Sequence, residues 1–291
     1  MTAAGEPHLL IFGLGYSALA LAGLAVAQGY RVTGTTRRAD LQPPPRVSLL
    51  APEAARPLLH EVTHVLAGAP PGEAGDPMLA LIGNELAEAR PQWIGYFSTT
   101  GVYGDRRGGW VDETTEPAPT GPRGTRRLHA EQQWRTVAQA TGSRLDLLRI
   151  AGIYGPGRSA LDTIRAGDGR RVLAPGHQFG RIHRDDIAGA TLAAMNSATA
   201  TDPTAPRVLN LSDDLPAESA VVLEEAARLL GMEPPPAVPL EQAMAAMSPM
   251  GRSFWAENRR VSSRRTQVVL GRQWLYPTYR EGLAAILQAG G

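Results

Sequence analysis

Residues 8–38 restrict the possible folds more than any other stretch of this chain. His8-Leu9-Leu10-Ile11-Phe12 is a short apolar run of the kind a buried strand requires. Gly13-Leu14-Gly15-Tyr16-Ser17-Ala18 then opens an apolar helix that stops at Gln28-Gly29, and residues 30–35 read as a second strand. Strand, glycine turn, helix, glycine stop and strand, in that order, make up a dinucleotide-binding βαβ unit. Gly13 permits the tight turn, Gly15 lets the backbone approach a pyrophosphate, and Ala18 still allows close helix–strand packing. The helix start, with Tyr16 and Ser17 in its first turn, offers free N–H groups and the positive end of the helix dipole. Thr36, Arg37 and Arg38 follow the second strand. An acid there would accept hydrogen bonds from a ribose 2′-hydroxyl, whereas guanidinium groups suit a 2′-phosphate. The expected cofactor is therefore NADP rather than NAD. The competing reading is a structural turn followed by a solvated basic pair.

Further strands and helices alternate along the chain. Residues 62–67 read as a strand that runs into a small, proline-rich loop. In this topology Ala67, Ala69 and Pro70 lie where the ribose or adenine of a dinucleotide would pass, unless the loop is an ordinary strand-to-helix turn. Residues 78–90 have the spacing of a crossover helix. Residues 93–97 form the next strand, ending in Ser98-Thr99-Thr100-Gly101-Val102-Tyr103. Residues 106–125 are rich in Gly, Pro and charge and read as a surface loop, followed by a helix over 126–140 and a strand over 145–150. This pattern predicts an α/β fold, a doubly wound parallel sheet (Rossmann fold) with a small C-terminal α/β lobe. The expected division is a dinucleotide-binding domain of residues 1–157 and 178–212, with a substrate-side lobe of residues 158–177 and 213–291. Ligands bind such sheets beyond the C-terminal strand ends. Gly13, the 67–71 loop, residues 98–103 and residues 153–158 all follow strands and are expected on one edge.

Composition removes several alternatives. The 291 residues carry a formal net charge of +1, which argues against a surface dedicated to nucleic acid or anionic membrane. There is no cysteine, which excludes disulfides, cysteine–zinc sites and a nucleophilic thiol, and no metal site is expected. No apolar run reaches membrane-spanning length, and the first apolar stretch lacks a basic flank and is broken by Gly13 and Gly15. A cytoplasmic protein is expected. All 29 basic residues are arginine, since the chain contains no lysine.

Four segments together resemble the short-chain dehydrogenase/reductase superfamily. They are GLGYSA from Gly13, FSTTGVYGD from Phe97, RIAGIYGPGR from Arg149 and RIHRDDIA from Arg181. With the closing WLYPTYREGL, the resemblance is to the atypical extended, NAD(P)-dependent epimerase/dehydratase-like branch, and it covers nearly the whole chain. It implies a Ser or Thr after the fifth strand that holds the substrate oxygen. It also implies a Tyr that moves the proton, and a Lys four residues later that lowers the tyrosine pKa and holds the nicotinamide ribose. Thr99 matches the first position, with Ser98 beside the cofactor and Thr100 beside the substrate. Its alternative is a strand-end hydroxyl that satisfies backbone groups.

Arg127 falls at the lysine position and Arg123 at the tyrosine position, so the usual pair is absent. An arginine is a poor acid or base at neutral pH. Tyr103 and Tyr154 are the remaining candidates for moving the proton, unless they pack or contact cofactor. His183, with Asp186 three residues on, has a useful pKa for acid–base work, unless it anchors the lobe. Arg123 and Arg158 have the chemistry to clamp an anionic substrate, unless they form a solvated face. The expected function is an NADP-dependent oxidoreductase or epimerase acting on a sugar-nucleotide or other anionic small molecule. The alternative is a non-catalytic NADP(H)-binding redox sensor or regulator. The resemblance also implies a homodimer paired through residues 78–90 and 126–140.

Overall fold

The computed structural model describes residues 6–167, 169–197 and 205–290. The chain begins with β1 (His8–Phe12), α1 (Tyr16–Ala27), β2 (Arg31–Thr35) and β3 (Val47–Leu50), followed by a run of 3₁₀ turns over Pro52–Glu61. Next come β4 (His64–Ala67), α2 (Pro77–Ala89), β5 (Trp93–Thr99), β6 (Trp110–Val111), α3 (Pro122–Thr141), β7 (Arg144–Ile150) and β8 (Gly152–Tyr154). Then follow α4 (Ala160–Arg165), β9 (Arg171–Leu173), β10 (Arg181–His183), α5 (Arg184–Asn196), β11 (Arg207–Leu211) and α6 (Ser219–Leu230). The chain closes with β12 (Ala237–Pro239), α7 (Leu240–Ala246), α8 (Pro249–Trp255), β13 (Arg260–Val261), α9 (Arg264–Leu270) and α10 (Tyr279–Gln288).

Several boundaries differ from those read off the sequence. β5 continues through Ser98 and Thr99 instead of stopping at Phe97. α3 starts at Pro122 rather than 126, because a proline's fixed φ suits the first helical position and its missing N–H is no loss there. Residues 52–61 form 3₁₀ turns, with prolines at 52 and 57, where the sequence suggested no helix.

The described residues fall into two compact units. The first runs to Thr99 and takes in Thr125–Arg149 and Ile187–Leu209; the second comprises Thr100–Gly124, Ile150–Asp186 and Asn210–Gly291. The first unit is organised by a seven-stranded sheet in the order β11-β7-β5-β4-β1-β2-β3. β1 pairs in parallel with β2 on one side and with β4 on the other. The connectivity therefore reverses at β1, and that switch point is where open α/β sheets bind ligands. Register carries Phe12 opposite both Thr35 and Ala67, and Ala67 opposite Tyr96. The ends of these four strands accordingly share one edge, as expected of a doubly wound Rossmann sheet.

Both faces of such a sheet are covered, so its strands are continuously apolar rather than alternating. All five residues of β1 are buried. Leu10, Val65 and Ile94 pack with Met78, Ile82 and Leu86 of α2 and with Trp134 and Ala138 of α3. The second unit has a core of its own, in which Leu161 and Ile164 of α4 meet Leu223 and Ala227 of α6 and Leu283 and Ile286 of α10. Among the described residues, no helix is long and apolar enough to cross a membrane.

Candidate functional site

The edge of the first unit is built around Gly13. Its φ of +92° is open to glycine at little cost. A Cβ placed there would lie 2.8 Å from the Ala69 backbone nitrogen. The amides of Gly68 and Ala69 both donate to Phe12 O, at 2.8 and 3.2 Å. The β4 loop is thus held against the β1 turn, bringing together Gly13, Ala67 and Ala69, with Pro70 exposed beyond them. The Gly13 amide donates to Thr35 Oγ1 at 3.1 Å, which ties the turn to the end of β2.

Gly15 differs from Gly13. It is the N-cap of α1, in extended conformation and without a side chain to cap the helix, and no acid occupies the first turn. A Cβ built on Gly15 would meet nothing within 4 Å. The front of α1 therefore presents uncapped backbone N–H groups to open space, with Tyr16 partly buried behind them and Ala18 packed against the sheet. Ser17, in the same turn, is only 6% exposed, yet its hydroxyl has no hydrogen-bond partner among the described residues. A buried hydroxyl beside uncapped N–H groups is an incomplete set of donors, and a diphosphate would complete it. These residues fit the phosphates of a dinucleotide.

At the end of β2, Thr36 Oγ1 accepts the Arg38 amide at 3.1 Å. Arg37 is exposed. Arg38 reaches Asp40 through Nε at 3.3 Å and Nη2 at 3.0 Å. Asp40 was not singled out in the sequence. It supplies a carboxylate that competes with any anion for Arg38, but both side chains are well exposed, so the pair exchanges readily with solvent.

Thr99 is the last residue of β5 and is half-buried. Ser98 is committed elsewhere: its hydroxyl donates to Glu131 Oε1 at 2.6 Å. Glu131 in turn accepts Arg149 Nε at 3.0 Å and Nη2 at 2.8 Å. The two charged side chains are 1% and 3% exposed. This buried relay joins β5, α3 and β7 and was missed in the sequence. Part of a signal for it was present: Glu131 lies three residues before Trp134, and Arg149, like Asp146, interrupts the otherwise apolar run Leu145–Ile150. A charge at a buried position requires a partner, but the sequence does not say which.

Arg127, at the lysine position, donates through Nη1 to Phe97 O and, at 3.3 Å, to Tyr96 Oη. It braces the end of β5. Tyr96 is no acid to pair with it, because burial pushes its hydroxyl pKa upward.

The second unit holds the other candidates. Thr100 is buried in a 3₁₀ turn. Tyr103 is fully buried and donates to Asn210 Oδ1 at 2.8 Å, while Asn210 Nδ2 donates to Ser262 O at 3.0 Å. Tyr154 is 7% exposed, and burial, with the negative charges of Asp213, Asp186 and Glu281, drives its pKa far upward. Both tyrosines are placed to pack rather than to move a proton, which corrects the expectation that one of them supplies it.

His183 is also corrected. It is 1% exposed, held edge-on between Tyr154 and Tyr276 at ring-centroid distances of 5.2 and 4.3 Å. Burial lowers its pKa to about 4, so it is neutral near pH 7, with Nδ1 accepting the Asp185 amide at 3.1 Å. Asp186 does not orient it; that carboxylate accepts the amides of Leu275 and Tyr276 at 2.6 and 3.0 Å. Arg123 is exposed, its guanidinium 4.6 Å from the Phe254 ring centroid. Arg158 is exposed in a tight turn closed by two backbone hydrogen bonds with Gly155. Among the described residues, no group of three or more His, Cys, Asp or Glu could hold a metal ion.

The parallel sheet with a glycine turn at its switch point defines the class: a Rossmann-fold protein of the dinucleotide-binding type. Comparison with known proteins carries this further. No family model matches the chain. A conserved protein of unknown function from Silicibacter pomeroyi is 40% identical and matches in structure with a TM-score of 0.86, over 98% of this chain and 99% of its own. A Methylobacillus flagellatus protein, provisionally described as an NAD-dependent epimerase/dehydratase, is 25% identical over 99% of both chains, with a TM-score of 0.72. Protein YeeZ of Escherichia coli K12 is 28% identical over 244 residues, 77% of this chain and 84% of its own. In fold and over its whole length the chain is similar to a protein described as an NAD-dependent epimerase/dehydratase.

Proposed function

We propose that the protein is an NADP-dependent oxidoreductase or epimerase that acts on a small anionic substrate without the Tyr/Lys pair. The observation that carries this reading is the uncapped start of α1, where the unpartnered Ser17 hydroxyl lies buried behind an unobstructed Gly15. Arg37 and Arg38 at the end of β2 favour a 2′-phosphate over a bare ribose. A nicotinamide cofactor is consistent with the relative described as NAD-dependent.

When bound, the nicotinamide supplies hydride transfer, and the protein supplies binding, orientation and charge. Thr99 holds the substrate oxygen from the end of β5. Arg127 keeps that strand end in place through Phe97 O. An arginine stays charged throughout the working pH range, so it orients and does not exchange a proton. Tyr103 and Tyr154 are buried, which leaves water as the proton source.

Thr99→Val tests the reading. NADPH consumption is followed with a panel of carboxylated and phosphorylated carbonyl compounds, and epimerisation, which consumes no cofactor, is followed by NMR with hydroxylated carboxylates and sugar phosphates in the presence of NADP⁺. Turnover is expected to fall about a hundredfold, as when a hydrogen-bond donor to a developing oxyanion is removed, with NADPH affinity unchanged. Turnover equal to that of the parent chain, or none with any compound, would overturn it.

A further inference from the structure

Immediately before Thr99, three consecutive residues of β5 are held by two charged side chains of α3. Arg127 donates through Nη1 to Tyr96 Oη at 3.3 Å and to Phe97 O. Glu131 Oε1 accepts the Ser98 hydroxyl at 2.6 Å. Arg127 and Glu131 stand four residues apart on α3 and so share one face of the helix. Every residue of this contact belongs to the first unit.

The grip is backed from two directions. Arg149 of β7 donates from Nε to Glu131 Oε1 and from Nη2 to Oε2, and a bidentate pair of this kind fixes the plane of the carboxylate. Both side chains are buried, so water does not compete for either. Tyr96 is fixed through its ring as well. Trp134 of α3 stacks on it with ring centroids 6.3 Å apart, and Trp134 Nε1 donates to Asp76 Oδ2 at 3.0 Å. The Arg127 guanidinium lies 5.7 Å from the centroid of the same tyrosine ring.

Packing α3 on β5 requires none of these charges. Ala130, Trp134 and Ala138 already share one apolar core with Ile94 and Tyr96, and a buried ion pair is often no more stabilising than apolar residues of the same volume. What charged hydrogen bonds add is direction. A group that holds a reacting oxygen has to be kept within about 0.5 Å of its productive position, by neighbours whose own side chains are locked. The chain leaves the strand after Thr99, so the clamp acts on the last stretch of sheet that supports it.

We propose that Arg127 and Glu131 are positioning residues that act through Thr99, and that this clamp from α3 supplies the alignment of the reacting oxygen in a site without the Tyr/Lys pair. The role rests on that of Thr99 in the function proposed above. Arginine suits it better than lysine, because a planar guanidinium bonds two acceptors in fixed directions.

A double-mutant cycle tests it. Arg127→Met removes the donor to Phe97 O and keeps an apolar stem. Ser98→Ala frees the strand from Glu131 and leaves the pair with Arg149 intact; as the milder change, it keeps the test open should Arg127→Met fail to fold. Each is made in the parent chain and in Thr99→Val, and kcat and KM are measured with the assays given above. In the parent chain Arg127→Met is expected to lower kcat about tenfold and Ser98→Ala about threefold, with KM little changed. In Thr99→Val neither is expected to lower kcat further. Equal fold losses in the two backgrounds would overturn the proposal, since a residue that only supports the fold costs the same whether or not position 99 carries a hydroxyl. So would parental rates in both single variants. In either case a Thr99→Val chain that has lost turnover leaves the proposed function standing. No turnover by the parent chain, or none lost in Thr99→Val, removes that function and the role of the clamp with it.

Discussion

Two arginine–carboxylate pairs in the first unit have the same chemistry and opposite surroundings. Arg149 and Glu131 meet at 2.8 Å with side chains 3% and 1% exposed; Arg38 and Asp40 meet at 3.0 Å with side chains 66% and 76% exposed. Geometry barely separates them, and burial separates them completely. In the first pair desolvation makes each charge depend on the other, and the Ser98 hydroxyl is drawn into the same relay. In the second, water competes on equal terms, and an incoming anion can replace the carboxylate. In this lysine-free chain a guanidinium is a structural strut or is open to an incoming anion according to what surrounds it.

The sharpest way to break the comparison is to remove one partner from each pair. Glu131→Ala removes the carboxylate that Arg149 pairs with in the interior, and should cost about 3–5 kcal/mol, read as a lower urea midpoint in equilibrium unfolding. Arg38→Ala should leave that midpoint where it is. If the two substitutions moved the midpoint equally, burial would not be what distinguishes the pairs.

A smaller effect separates the two glycines of the opening turn. Gly13→Ala forces a left-handed φ and a contact with the Ala69 backbone, at a cost of about 1–3 kcal/mol. Gly15→Ala meets no atom and keeps an ordinary φ, so thermal unfolding should be unaltered while dinucleotide affinity drops. Equal thermal shifts would mean that the space before Gly15 has no functional meaning.

The smallest effect is expected for Asp40→Asn. Unfolding should not respond, and NADPH affinity should rise about two- to threefold at low salt, the gain fading as ionic strength increases. Unchanged NADPH affinity at low salt would show that Asp40 does not compete for Arg38.

Much of the first unit was legible in the sequence because its signals are local. The spacing of Gly13 and Gly15, the glycine stop at Gly29 and the apolar runs of β1, β4 and β5 are each readable within a dozen residues, and together they place the strand ends on one edge. The roles of single side chains were less legible, because they depend on partners far along the chain. Ser98 reads as a free hydroxyl until Glu131 arrives from α3, and Tyr103 as a candidate acid until Asn210, 107 residues later, takes its proton donor. The motif around His183 suggests acid–base chemistry, but its environment depends on Tyr154 and Tyr276. Local pattern tells which residues share an edge; burial, which depends on the whole fold, decides which of them can act there.

The most direct test of the account is the affinity of NADPH against NADH, measured by calorimetry at fixed salt on the parent chain and on the double variant Arg37→Ala, Arg38→Ala. NADPH is expected to bind tighter than NADH by about tenfold or more, and the double variant to lose that preference while keeping its NADH affinity and its fold. Equal affinities in the parent chain, or a preference that survives the loss of both arginines, would contradict it.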